Sequence, residues 1–528
     1  MTAVSRSFCT LHSAFCIEEV AWPADVEALF ARLARRRGCV WLDSAGGPAG
    51  LARWSVLASE PSAVLVHQGG VSRFVAPDGR AVLEPRENPF DALRAALALR
   101  EPQGDPEQGR GVAAARLESA ALPFGPGLYG YLAYDLGPYV EPTAPLSPTR
   151  DIALPDLWFG YYETVLVLNH AERRAVLVGA DGPPAAGHGT ACGRAREALG
   201  AALAAAGGPA PGAPGVASAS RRDALTEPGL DAARPAREAS CNFTREGYLG
   251  AVARAREYIA AGDIFQVNLS RRFTVPLEQN APGPDVRPAS LYRRLRRANP
   301  APYAAYVGLG AGRAVLSSSP ELFLDLAAGR VVTRPIKGTR PRRASEAESS
   351  DFNRRERDNL LRSEKDKAEL VMITDLERND LGRVCDYGSV RVTEPRTVEA
   401  YEAVYHTVAT VEGRLHEGLD VVDLLRATFP GGSITGAPKV RAMQIIAEIE
   451  PTRRSVYTGA VGYLAPPSDA EPAGRCSLNI AIRTLLVAGQ AVHLQAGGGI
   501  VADSDPAAEF DETSDKARAM LAALGLAP

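Results

Sequence analysis

Positive charge is not in surplus. Lys and Arg number 59 against 62 Asp and Glu, a net charge of −3, so the basic face and high pI of a nucleic-acid binder are missing. No uninterrupted apolar run approaches the roughly 20 residues of a membrane-spanning helix. The short apolar patch near the amino terminus is broken by His12 and closed by Glu18 and Glu19; it lacks the n- and h-regions of a secretory signal. Cysteine is sparse. Cys9, Cys16, Cys39, Cys192, Cys241, Cys385 and Cys476 are scattered with no Cys-x-x-Cys spacing, which fits reduced thiols better than a disulfide frame or a zinc site. These absences predict a soluble, cytoplasmic protein with neither a nucleic-acid nor a membrane partner.

What is present is 528 residues, 46% of them hydrophobic, enough for two core regions. Ala63-Val64-Leu65-Val66 and the run from Tyr162 to Leu168 read as strands, and the stretch opening at Pro89 as a helix. Residues 202–240 are mostly Ala, Pro, Gly, Ser and Arg with no hydrophobic period. Such a segment buries too little surface to offset its ordering entropy, so it reads as a flexible linker or insertion between an amino-terminal region, 1–201, and a carboxy-terminal domain, 241–528. Thr244 is a candidate N-cap for a helix carrying Tyr248, Leu249, Val252 and Ile259. There is no internal repeat. Helices and strands alternate irregularly, which predicts α+β with antiparallel sheets.

Two acidic pairs stand out. Asp366 and Glu369 share one face of a predicted helix, and Glu509 and Glu512 share another, with Lys516 one turn beyond. Asp505-Pro506 reads as the N-cap and first residue of that second helix. Taken singly, either pair is an ordinary solvated helix face. The upstream run Gln495-Ala496-Gly497-Gly498-Gly499 would, however, let a ligand approach the backbone. A hard divalent ion, magnesium above all, takes one or two carboxylates and leaves the rest to substrate and water. The loop Pro430-Gly431-Gly432-Ser433-Ile434-Thr435-Gly436-Ala437-Pro438-Lys439 lacks the Gly-Lys-Ser/Thr ending of a nucleotide-binding loop, and Pro438 removes a donor. It leads into a predicted helix over Val440–Ile449, a junction where backbone N–H groups can meet a carboxylate. Gly308 to Gly312 reads as a strand turn.

Together these motifs resemble the chorismate-utilising enzymes, the group containing anthranilate synthase component I, aminodeoxychorismate synthase component I, isochorismate synthase and salicylate synthase. The resemblance rests on Gly262 to Ser270, Ser318-Ser319-Pro320-Glu321, Pro335-Ile336-Lys337-Gly338-Thr339, Asp375 to Arg383, Gly431 to Lys439, Tyr457-Thr458-Gly459-Ala460 and Glu509 to Thr513. It implies the anthranilate synthase component I-like fold: two antiparallel β-sheets packed as a sandwich with surrounding helices. It implies Mg²⁺ held by Glu369 and Glu512, with Asp366 and Glu509 as water-bridged or outer partners. It also implies substrate binding by Gln266, Tyr457, Arg483 and Lys516, with Gly338, Thr339, Ser433, Gly436, Gly497, Gly498 and Gly499 lining the pocket, and His406 near the reacting ring.

Two positions choose among the family's reactions. Members that add water carry a lysine base where this chain has Gln266; glutamine has no basic form near neutral pH, which implies an ammonia nucleophile. Lys337 stands where anthranilate synthases carry alanine and aminodeoxychorismate synthases lysine. The resemblance therefore implies the aminodeoxychorismate synthase component I reaction. Lys337 would attack C2 of chorismate as the C4 hydroxyl leaves, and ammonia would then add at C4 and expel the lysine. Glu321 is the candidate acid for the leaving hydroxyl, with His406 second. Burial, or the neighbouring charges of Arg334 or Arg340, would have to free Lys337 of its proton. No Gly-x-Cys-x-Gly glutaminase turn is present, so ammonia is expected from a separate glutamine amidotransferase subunit in a heterodimer. The pathway expected is para-aminobenzoate and folate biosynthesis. Leu42-Asp43-Ser44 resembles an element that binds tryptophan in anthranilate synthases, so a bound tryptophan is a further expectation. Anthranilate synthase and a catalytically inactive chorismate-binding subunit are the alternatives.

Overall fold

A computed structural model describes residues 15–44, 46–48, 50–99, 122–180, 197, 199–203, 238–277, 287–343, 345–468 and 471–526. Two twelve-stranded antiparallel sheets dominate it. The first runs, neighbour to neighbour, through Phe15–Val20, Arg174–Ala180, Thr164–Asn169, Trp54–Ala58, Val40–Asp43, Tyr303–Gly310, Arg313–Ser319, Thr484–Ala488, Ala491–Ile500, Gln266–Pro276 and Ser240–Cys241, with Gly436–Ala437 paired to Gln266–Pro276. The second runs through Ile336–Pro341, Val404–Arg414, Arg330–Arg334, Leu322–Ala327, Arg475–Ile480, Ala460–Ala465, Gly127–Leu132, Leu157–Tyr162, Ala63–Gln68, Val71–Val75 and Ala81–Arg86, with Arg391–Ala400 paired to Val404–Arg414.

The central strands, such as Gly127–Leu132, Thr164–Asn169 and Ala460–Ala465, are buried on both faces because both faces are covered. Successive side chains of a strand point to opposite sides. Val40 and Val56 pack into the cluster shared by both sheets, together with Tyr129, Tyr131 and Val461 of the second sheet. Their neighbours Trp41 and Leu57 point outward, onto the helices Val26–Leu33, Pro288–Ala298 and Pro506–Ala523. Leu128 and Leu132 of the second sheet point to its own outer layer, which includes Pro89–Leu97, Val421–Thr428 and Lys439–Ile449. The chain is thus a sheet-on-sheet sandwich between helical layers, the architecture anticipated from the motifs.

Local signals hold where the chain chemistry is strong. The Thr244 hydroxyl accepts from the Gly247 N–H at 3.0 Å and opens Arg245–Ala260, and Asp505 caps Pro506–Ala523 through the Ala508 N–H at 2.9 Å. Gly308 to Gly312 closes a hairpin. The single run expected from Tyr162 to Leu168 is instead two strands broken at Glu163. Of residues 202–240, 204–237 lie outside the described residues; Ala202 is buried and Leu203 and Ala239 pack on the first sheet's outer core. The boundaries at 201 and 241 divide the sequence but do not separate the sheets: each sheet joins one block of strands from the amino-terminal side to one block from the carboxy-terminal side, meeting at Val40–Asp43 with Tyr303–Gly310 in the first and at Gly127–Leu132 with Ala460–Ala465 in the second. Among the described residues no helix is long and apolar enough to cross a membrane, and Cys39, Cys241, Cys385 and Cys476 are free thiols.

A buried ion pair fixes the junction beneath a cavity that opens between the two sheets. Arg454 and Glu450 meet at 2.8 Å, each side chain only 1% exposed. Arg454 also donates to the Ile434 carbonyl (3.0 Å) and the Asn268 carbonyl (2.7 Å), while Glu450 accepts from the N–H and hydroxyl of Ser270 (2.9 and 2.7 Å). Removing one partner of such a pair leaves an uncompensated buried charge. Arg454→Met should therefore cost about 3–5 kcal/mol in urea unfolding; a loss near 0 would show that the junction does not depend on the pair.

Candidate active site

A cavity of about 480 Å³ opens where the ends of strands Gln266–Pro276 and Ala491–Ile500 approach the Ile336–Pro341 edge of the other sheet. The helices Glu364–Gly382 and Pro506–Ala523 line it from the side with their carboxylates. It gathers Glu321, Lys337, Gly338, Thr339, Asp366, Glu369, His406, Ser433, Tyr457, Arg483, Gly497, Gly498, Gly499, Glu509, Glu512 and Lys516. Residues named from nine separate stretches of sequence thus share one chamber.

A bulge aims Lys337 into it. Ile336 pairs with Val408 and Lys337 with Thr407, but the next partner of His406 is Thr339. Gly338 is the extra residue, with φ +80°. A Cβ there would lie 2.9 Å from Leu360 and 3.0 Å from Asp366, so glycine is required by both conformation and space. The Thr407 hydroxyl donates to the Lys337 carbonyl, and Lys337 Nζ donates to the Ser433 carbonyl at 3.3 Å. Burial pushes the Lys337 pKa below its ordinary value; Glu369, Glu321 and Glu512 oppose this and Lys516 assists it. The assisting cation is therefore not Arg334 or Arg340, as anticipated. Those guanidiniums are already paired, with Glu399 at 2.5 Å and with Asp366 at 2.9 Å.

Glu321 sits beside the lysine and is buried. Its pKa is raised, chiefly by desolvation, against hydrogen bonds from Ser433 and the Ile336 N–H and the charge of Lys337. A raised pKa suits a carboxyl to deliver a proton. His406 is the poorer donor: burial, with Arg483 nearby, lowers it to about 4, so its ring is neutral at pH 7. Its Nδ1 lies 3.3 Å from the Gly338 carbonyl and 3.0 Å from the Thr339 hydroxyl. A carbonyl only accepts, which assigns the proton to Nδ1 and leaves Nε2 an acceptor. The imidazole thus braces the bulge.

Lys365 spans the two acidic helices, its Nζ 3.9 Å from Glu369 and 4.0 Å from Glu509. Lys516 Nζ meets Glu512 at 2.6 Å and the Gly497 carbonyl at 2.9 Å. Glu369 and Glu509 are raised, first by burial and then by their like-charged neighbours; Glu512 is lowered, the Lys516 ion pair outweighing its burial. Gly498 lets the chain pass close beneath: a Cβ there would stand 2.9 Å from Glu509. Among the described residues no three His, Cys, Asp or Glu side chains converge to hold an ion unaided. The donors nonetheless fit magnesium, which needs only one or two carboxylates beside substrate and water. All are hard oxygens, they repel one another, and the Lys365 side chain standing between them is 54% exposed and free to withdraw.

Tyr457 and Arg483 face the chamber from the other side. Burial lowers Arg483, against Tyr457 and Glu512. Two residues assigned to the pocket do not line it. Gln266 is fully buried, its amide packed where a Gly499 side chain would stand. Gly436 pairs with Val267 in a two-residue bridge that closes the Gly431 loop against the sheet. Asn268, Lys365 and Gln495 line the chamber without having been assigned to it; each had a signal in its place, Asn268 within Gly262 to Ser270, Lys365 beside Asp366 and Gln495 at the head of the glycine run. A second cavity, about 190 Å³, lies between the sheets and is lined by Leu42, Asp43, Ser44, Trp54, Tyr303 and Asn479 among others. Arg296 holds Asp43 there at 2.6 Å.

Residues 38–522 match the family model for chorismate binding enzymes. The chain belongs to that family. It is 42% identical to anthranilate synthase component 1 of Streptomyces coelicolor over 86% of this chain and 81% of that protein. It is 36% identical to aminodeoxychorismate synthase component 1 of Klebsiella aerogenes over 94% and 96%. The solved anthranilate synthase component I of Streptococcus pneumoniae superposes with a TM-score of 0.68 at 30% identity, covering 89% of this chain and 92% of that one. This chorismate-binding enzyme therefore has relatives carrying both names.

Gly338→Ala tests the bulge. Forcing the left-handed conformation on alanine against Leu360 and Asp366 should cost about 1–3 kcal/mol of stability in thermal unfolding and lower turnover more than it raises KM. Unchanged turnover would detach the bulge from the placement of Lys337.

Proposed function

We propose that this enzyme is aminodeoxychorismate synthase component I, converting chorismate and ammonia to 4-amino-4-deoxychorismate. The observation that carries the reading is Lys337, a lysine of lowered pKa held beside Glu321, a carboxyl of raised pKa, inside the chamber. An amine so placed suits two successive allylic displacements. Nζ forms a bond to C2, the ring double bond shifts, and the C4–O bond breaks as Glu321 supplies the proton that leaves with water. Ammonia then bonds to C4, the double bond returns, and the C2–N bond breaks to free Lys337. A direct displacement would invert C4; two in succession retain its face.

The other residues bind and orient. Arg483 offers a bidentate fork to a substrate carboxylate, with Tyr457 and Lys516 beside it. We infer that Glu369 and Glu512 hold Mg²⁺, with Asp366 and Glu509 as outer partners; when bound, the ion supplies Lewis-acid polarisation of a substrate carboxylate. Ammonia is proposed to come from a separate glutamine amidotransferase subunit, a partner that the relatives' "component 1" names support. The cavity at Asp43 and Ser44 is proposed to take tryptophan. The product is assigned to para-aminobenzoate and folate synthesis, in the cytoplasm. The competing reading is anthranilate synthase component I, favoured by the relatives at 41–44% identity that bear that name.

Incubation with chorismate, Mg²⁺ and ammonium separates the readings by product. Aminodeoxychorismate is expected, anthranilate would overturn the proposal, and tight chorismate binding without turnover would mark an inactive binding subunit. Lys337→Ala should abolish C4 amination while chorismate still binds; normal aminodeoxychorismate formation would refute the covalent role. Glu321→Gln should lower kcat about 10²- to 10⁴-fold, the range for loss of a general acid.

A further inference from the structure

A carboxyl with no cation of its own lies beneath the chamber. The helix Glu364–Gly382 buries Leu370, Ile373, Thr374, Glu377, Asp380 and Leu381 along one stripe, so two acids occupy positions where a helix packs its apolar face. Asp380 has a partner, the Lys439 ammonium at 2.5 Å, which also donates to the Thr428 carbonyl at 2.8 Å. Glu377 has none. It is 2% exposed; one oxygen accepts the Gly432 N–H at 3.2 Å and the other makes no hydrogen bond.

The contact to Gly432 places Glu377 directly behind the proposed chemistry. Gly432 opens the short turn Gly432–Ile434, whose Ser433 carbonyl receives Lys337 Nζ and whose Ser433 side chain is bonded to Glu321. Glu321 lies within electrostatic reach of Lys337 on one side and Glu377 on the other. The groups facing Glu377 are thus Asp380 from its own helix, Lys439 from Lys439–Ile449, Glu321 from the second sheet and the Gly432 N–H. Lys439 is shared with Asp380, which is flanked in turn by Arg383 and Glu141.

We propose that Glu377 is a positioning residue that works as a neutral acid: its carboxyl accepts from the Gly432 N–H and so holds the Gly432–Ile434 turn, while its retained proton keeps a negative charge from behind Glu321. The physical reason is the local charge balance. Two carboxylates share one ammonium in a desolvated site, so one of them keeps its proton. Desolvation, with Asp380 adjoining, pushes Glu377 up to about 8. Were it ionised, the new anion would tighten Glu321's hold on its own proton and weaken it as the acid for the leaving hydroxyl.

This inference rests on the aminating function proposed above, and the test separates the two. The test compares the full chain with Glu377→Gln, a neutral isostere, using chorismate, Mg²⁺ and ammonium. The wild type should lose kcat as pH rises through about 8, roughly tenfold by pH 9, where ionised Glu377 outnumbers neutral about ten to one. Glu377→Gln should keep its neutral-pH kcat and chorismate KM and lack that fall. Unfolding midpoints check the same proton without turnover. The native state holds it from about pH 4.5 to 8 while the unfolded chain does not, so wild-type stability declines across that window. The midpoint of Glu377→Gln should accordingly gain on the wild type between pH 5 and 8. Superimposable kcat profiles, or midpoints moving in parallel with pH, would overturn the inference, as would a variant that loses kcat equally at every pH. Failure of the wild type to form aminodeoxychorismate would overturn the functional reading instead.

Discussion

The site depends on the ion pair between Glu450 and Arg454. Three segments remote in sequence meet there: the strand that contributes Asn268 and Ser270, the loop that contributes Ser433, and the turn that carries Tyr457. The strand and the loop present backbone groups to the pair, and the guanidinium and carboxylate bond three of these and the Ser270 hydroxyl besides making their own contact. A buried pair of this kind is seldom a net gain in stability over a well-packed apolar substitute. What it provides here is registration, because a planar fork accepts only one arrangement of carbonyls around it.

Above that anchor the chamber is crowded with charge of both signs. Four carboxylates from two helices would repel one another, and Lys365 and Lys516 reduce the repulsion without removing it. Lys337 sits in the same field, yet burial outweighs the carboxylates and its pKa falls. Its proton is therefore set by solvent exclusion, with Lys516 adding a smaller push. A divalent ion between Glu369 and Glu512 would act in the same sense, since positive charge near an amine favours its neutral form.

Much of this was legible in the sequence because its motifs are local. Caps at Thr244 and Asp505, the glycine run before Ile500 and the two acidic pairs all announce themselves within a few residues. The fold class followed from resemblance, and the double-sided burial of the strands accounts for runs such as Thr164–Asn169, which show no alternation. What escaped was set by distance in sequence. Gln266 reads as a pocket residue, but its strand turns the amide beneath Gly499. The pairing of Arg334 with Glu399 and of Arg340 with Asp366, which removes both as free cations, is invisible until the chain closes. The joining of the two halves within each sheet had no local mark either.

That joining constrains how the molecule can be made. Strands Val40–Asp43 and Tyr303–Gly310 are neighbours, and the first sheet reaches Gln266–Pro276 only through Thr484–Ala488 and Ala491–Ile500. The second sheet joins Leu322–Ala327 to Gly127–Leu132 only through Arg475–Ile480 and Ala460–Ala465. A nascent chain leaving the ribosome therefore carries two unfinished sheets until its last eighty or so residues emerge, with open hydrogen-bonding edges that invite pairing with other chains. Elongation at about 5–20 residues per second makes that exposure last tens of seconds, so this fold places its demand on chaperones during synthesis.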